Sequence, residues 1–97
     1  MRQIVFHRHA AKYLQKMPVE RKSQTLAALR ELAALPDPAA SPNVRRMAGE
    51  WSGAWRLHIS SYRVIFTFTT QSEPGEGGTP QGVLEALLIG PRGDIYK

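Results

Sequence analysis

The chain has 97 residues, no Cys, and 13 Lys plus Arg against 8 Asp plus Glu. That length holds one compact domain, read here as residues 1–97, and the missing Cys excludes disulfides, thiolate metal sites and a Cys nucleophile. The net charge of +5 is uneven, with 11 cations and 4 acids through residue 72 against 2 cations and 4 acids after it. Nine of the cations are Arg, whose planar fork suits phosphate and carboxylate, so the expected partner is a polyanion, nucleic acid first.

Residues Arg2-Gln3-Ile4-Val5-Phe6 predict a short strand, rich in β-branched and aromatic side chains. The His7-Arg8-His9 step that follows ends any signal-peptide core, and no apolar run reaches the length of a membrane span. A cytoplasmic protein with no membrane partner is therefore expected. Ala10, Tyr13, Leu14 and Met17 keep helical spacing, and Pro18 ends that helix and suits the first position of another. The second helix is expected over about Val19 to Leu35, with Leu26, Leu29, Leu32 and Leu35 as its core leucines. The breakers Pro36-Asp37-Pro38 and Ser41-Pro42-Asn43 close this helical hairpin.

After the breakers the period becomes strand-like. Val44–Met47, Ala54–Ser60 and Tyr62–Thr70 read as strands, with a tight turn at Ser60-Ser61. Gln71–Gly82 reads as a loop, and Val83–Gly90, apolar except for Glu85, as a well-buried strand. The order predicts an α+β fold: an N-terminal strand, a helical hairpin, then a mainly antiparallel sheet with the helices on one face.

Strand parity sorts core from surface. Trp55, Leu57 and Ile59 point one way and Arg56 and His58 the other; Arg63 is opposite in parity to Tyr62, Val64, Phe66 and Phe68. Arg56, His58 and Arg63 therefore share the solvated face, where neighbouring like charges repel unless an anion joins them. An ordinary polar outer face is the plainer reading, but Arg, His and Arg are not the usual mixture of surface residues. Arg92 and Tyr96, in the Gly/Pro/Gly segment after the last strand, fall at the edge of the same sheet. Arg92 could equally pair on the surface with Asp94 or Glu85, where such a pair contributes little.

Trp55-Arg56-Leu57-His58-Ile59, then Tyr62-Arg63-Val64-Ile65-Phe66, then Ile89-Gly90-Pro91-Arg92-Gly93-Asp94-Ile95-Tyr96, resembles the RelE-like toxins of the RelE/ParE superfamily. Phe6, Lys12, Leu14, Met17-Pro18 and Leu32 to Pro36 match that family's opening strand and helical hairpin in order. The resemblance implies a RelE-like fold and the toxin of a type II toxin–antitoxin system. Its implied activity is a metal-independent endoribonuclease that cuts mRNA in the ribosomal A site, needs no cofactor, and is held inactive by a cognate antitoxin.

Such a cleavage needs a base for the 2′-OH, cations for the phosphorane-like transition state, and an acid for the departing 5′-oxygen. By resemblance, Arg56, His58, Arg63, Arg92 and Tyr96 form the catalytic set. His58 is the leading candidate for the base, Arg56 and Arg63 would clamp phosphate, Arg92 would stabilise the transition state, and Tyr96 would stack on a base. The base and acid assignments stay open. Arg45, Arg46 and Trp51 are further candidates for nucleic-acid contact.

His7 and His9 at i, i+2 would not share a helix face, so no metal site is expected. Glu50 and Ser60-Ser61 read as ordinary loop and turn residues. A competing reading is a ParE-like toxin that binds DNA gyrase, or a non-catalytic relative in which the same arginines form only a binding patch. The Gly-x-Arg-x-x-x-Tyr ending at Gly90–Tyr96 favours the nuclease.

Overall fold

The structure is a computed structural model that describes residues 2–49, 53–59, 62–69 and 82–91. Its elements are β1 (Gln3–Phe6), α1 (Arg8–Lys16), α2 (Val19–Ala34), a short 3-10 turn (Pro38–Ala40), β2 (Val44–Arg46), β3 (Trp55–Ile59), β4 (Tyr62–Phe68) and β5 (Val83–Pro91). They match the expected order, and the five strands form one sheet in the order β1-β5-β4-β3-β2. β1 runs parallel to β5 and every other neighbour is antiparallel. Among the described residues no helix is long and apolar enough to cross a membrane.

Both helices stop at the residue before a proline. Met17 and Leu35 have ψ of 146° and 141°, because the ring of the following proline crowds the helical conformation out. The second helix therefore ends at Ala34, one residue short of the expected Leu35. Pro18 caps the second helix rather than opening it: its own ψ is 148°, and its carbonyl accepts the Lys22 N–H at 2.9 Å. An unexpected 3-10 turn follows, capped by the Asp37 carboxylate, which accepts from Ala39 N at 3.1 Å.

Both helices cover one face of the sheet. Ala10, Leu14 and Met17 from α1 and Leu29, Leu32 and Ala33 from α2 pack with Val44, Leu57, Val64, Phe66, Leu84, Ala86 and Ile89. Two of the expected core leucines differ. Leu26 is only partly buried against this core, and Leu35 is 37% exposed because the chain turns extended there.

Strict alternation along β5 would put Glu85, Leu87 and Ile89 on one face. The register instead slips between Ile65 and Phe66: Ile65 faces Leu88 and Phe66 faces Ala86, leaving Leu87 as an extra residue. This bulge lets Ile89 join Leu84 and Ala86 on the helix side, while Glu85 stays on the other. There Glu85 lies 3.3 Å from His7 Nε2, an exposed pair that adds little stability.

The first arginine is structural. Arg2 is fully buried, its Nε donates to Thr69 O at 2.9 Å, and its terminal nitrogens donate to the carbonyls of Ala33, Leu35 and Pro36. Its guanidinium also lies 5.3 Å from the centre of the Phe68 ring, within range of a cation–π contact. Burial pushes its pKa below the ordinary guanidinium range, an effect the nearby Asp37 charge opposes.

Beside it, Gly82 has φ of +126°, and a Cβ there would lie 2.3 Å from the Thr69 carbonyl oxygen. Gly82→Ala is therefore expected to cost about 2–4 kcal/mol in urea unfolding, from the strained φ and the backbone clash together. A cost below about 1 kcal/mol would show that the junction relaxes around the methyl.

Candidate nucleic-acid site

The outer face of the sheet carries the charged set. His58 on β3 stands directly opposite Arg63 on β4, and Arg63 in turn faces Gly90 on β5. In the next row Arg45 on β2 faces Arg56 on β3, Arg56 faces Ile65, and Ile65 faces Leu88. Opposed positions in an antiparallel pair share a face at about 4.5–5.5 Å between Cβ atoms, so Arg45, Arg56, His58 and Arg63 form one group. Gly90 brings no side chain to the row. His58 is exposed, while Arg56 and Arg63 are half-buried.

This face is not solvated throughout, as parity alone suggested. Ile65 is fully buried on it, and Leu88 beside it is half-buried. The cations therefore border an apolar patch.

Arg45, Arg56 and His58, with Pro42 and Asn43, line a polar pocket of about 290 Å³. Arg45 is steadied by the backbone just before it: Nη1 donates to the carbonyls of Pro42 and Val44, both at 3.2 Å. The Asn43 carbonyl accepts the backbone N–H of His58 at 2.9 Å, which joins the loop before β2 to β3. Pro42 and Asn43 are the pocket residues that sequence reasoning missed; Ser41-Pro42-Asn43 read only as a breaker, and no local signal marked them.

The dibasic step is divided by strand parity. Arg45 joins the pocket, whereas Arg46 faces Trp55 across the strands and sits 5.9 Å from its ring centre, on the helix-bearing side. Arg92, Tyr96 and Trp51 lie outside the described residues, as do the Ser60-Ser61 turn, Thr70 at the end of an expected strand, and residues 71–81 of the expected loop. The described part of the site thus brings together Arg45, Arg56, His58 and Arg63. Two guanidinium groups and an imidazole around a small polar pocket, with Arg63 opposite the imidazole in register, can hold a phosphodiester's non-bridging oxygens and present a proton acceptor to it.

No protein-family model matches the chain, and no curated protein matches it in sequence. Solved structures do match in shape. The archaeal RelE–RelB complex from Pyrococcus horikoshii contains a chain 23% identical, at a TM-score of 0.63 over 95% of this chain and 96% of that one. YafQ from Escherichia coli is 17% identical at a TM-score of 0.61, covering all of both chains. The RelBE2 toxin–antitoxin complex from Mycobacterium tuberculosis contains a chain 19% identical at 0.54, over 93% of this chain and 96% of that one. The two helices and five-stranded mixed sheet of this chain are the RelE-like α+β fold.

Proposed function

We propose that the chain is the toxin of a type II toxin–antitoxin system, a metal-independent endoribonuclease that cuts mRNA on the ribosome. The observation that carries this reading is the polar pocket lined by Arg45, Arg56 and His58, with Arg63 facing His58 across the strands. In the proposed reaction His58 takes the proton of a ribose 2′-OH, and the 2′-oxygen attacks the adjacent phosphorus. The P–O5′ bond breaks and the departing oxygen takes a proton from water, leaving a 2′,3′-cyclic phosphate and a 5′-hydroxyl. Arg56 and Arg63 hold the non-bridging oxygens as their charge grows, which is where a fixed cation helps most. Arg92 is assigned to the transition state and Tyr96 to stacking on a base, by resemblance. The fold-level relatives crystallised as RelE–RelB and RelBE2 complexes support an antitoxin as a protein partner and leave the ribosome as the proposed site of action.

The test is expression of the chain in a translation extract with primer extension along a reporter mRNA. Breaks confined to codons in the A site, and absent from the same RNA without ribosomes, are the expected result. Inhibition of DNA gyrase with no mRNA cleavage would sink the nuclease reading in favour of a ParE-like toxin.

A further inference from the structure

Tyr62 stands where both helices reach the strand that carries Arg63. It is the first residue of β4 and packs against the helix-side core, while Arg63, next in the chain, points to the opposite face. Tyr13 of α1 meets the Tyr62 ring edge-on, with 6.2 Å between centroids and 66° between planes. The Arg21 guanidinium of α2 lies 5.8 Å from the centre of the same ring. Both distances suit their contacts, an aromatic edge and a cation–π pair. Tyr13 and Arg21 lie on either side of the Met17-Pro18 bend, so the two helices grip one ring together.

Other ties are weak at this place. Tyr62 faces Ile59 and Pro91, the last residues of β3 and β5, and strand ends open more readily than their middles. Proline has no N–H to give to the ladder. Gly90, which faces Arg63, has no side chain to pack beside it. Ring contacts from the helices thus supply the hold that backbone bonds and cross-strand packing give less well here.

We propose that Tyr62, gripped by Tyr13 and Arg21, is a positioning residue for the proposed cleavage. It fixes the start of β4 so that the Arg63 guanidinium meets the phosphate where charge grows. Tyr62 touches neither substrate nor reacting atoms and acts through Arg63. The assignment rests on the nuclease reading above and adds how the helices hold a cation on the far face of the sheet. The hold matters because a misplacement of about 1 Å, made away from the chemistry, can cost about 10²-fold in rate.

The experiment is single-turnover cleavage on mRNA-programmed ribosomes, run well below the melting temperature of every variant. Tyr62→Leu is expected to slow cleavage about 10–100-fold, with the half-saturating ribosome concentration within about twofold of wild type. Tyr62→Phe keeps the ring and both of its contacts, so it should cleave within about threefold of wild type. Arg21→Gln, at a half-buried position, removes only the cation and should slow cleavage about three- to tenfold, with partial recovery in Arg21→Lys. Gly82→Ala strains the opposite end of β5 and should cleave within about threefold of wild type although it melts lower. In an Arg63→Ala background, Tyr62→Leu should cost less than about threefold more, because nothing is left for it to position.

Cleavage like wild type by both Tyr62→Leu and Arg21→Gln overturns the assignment, as does an undiminished cost of Tyr62→Leu in the Arg63→Ala background. Tyr62→Phe as slow as Tyr62→Leu overturns it by moving the role from the ring to the hydroxyl. Gly82→Ala as slow as Tyr62→Leu overturns it by assigning the loss to stability. A wild-type chain that cuts no mRNA overturns the nuclease reading itself, so the two failures are told apart.

Discussion

Arg2→Met is expected to lower the unfolding free energy by about 3–5 kcal/mol, the range seen when one partner of a buried charged network is removed. The variant keeps an apolar stem against Phe68 and loses every side-chain donor, while its backbone N–H still reaches Ala33 O. The acceptors are backbone carbonyls of Ala33, Leu35, Pro36 and Thr69, so no compensating substitution can remove them. Three of them belong to the end of α2 and the residues just after it, where the last carbonyls of a helix lack partners within the helix.

The competing effect is the desolvation of the guanidinium, which in many buried ion pairs cancels the gain and makes an apolar replacement nearly neutral. It does not win here, because each unsatisfied buried acceptor costs about 1–3 kcal/mol of its own. At about 4–8 °C per kcal/mol for a domain of this size, the variant should melt at least about 12 °C lower. Arg2→Lys keeps the charge but not the fork, so it should fall between the two. Urea unfolding followed by fluorescence and circular dichroism checks this; a loss below about 1 kcal/mol would show that water replaces the guanidinium.

Arg2 also shows where composition misleads. It counts among the nine arginines that suggested a polyanionic partner, yet it is sealed inside the fold and offers nothing to phosphate. Nothing local distinguishes it, since its acceptors lie 31 to 67 residues away. The elements were legible because their signals are local: prolines set both helix ends within a residue, and β-branched runs marked the strands. Parity alone places Arg56, His58 and Arg63 on one face. It could not give the register that sets His58 against Arg63, nor the bulge at Leu87 that turns Ile89 to the same side as Ala86. Those depend on the pairing of strands brought together by the whole chain. For the same reason Pro42 and Asn43 read only as breakers, although they help to form the polar pocket.

The proposed chemistry makes its largest expectation at the His58–Arg63 row. Arg63→Ala should slow single-turnover cleavage on mRNA-programmed ribosomes by about 10²–10³-fold, the usual loss when one fixed donor to a developing oxyanion is removed. His58→Ala should slow it by about 10²–10⁴-fold if the imidazole moves the 2′-OH proton. The two residues face each other at one register position, so their losses should not multiply in the double variant; groups acting as a unit fail once either is gone. His58→Gln separates proton transfer from phosphate binding. A glutamine amide can still donate a hydrogen bond to a phosphate oxygen but cannot accept and carry a proton near neutral pH. Cleavage by the Gln variant as slow as that by the Ala variant therefore assigns His58 as the base. A rate within about tenfold of wild type would assign it to phosphate binding and move the base elsewhere. Both side chains lie on the sheet face away from the helices, so the variants should keep wild-type melting. A slow variant that also melts early would mean that folding, not chemistry, had been lost.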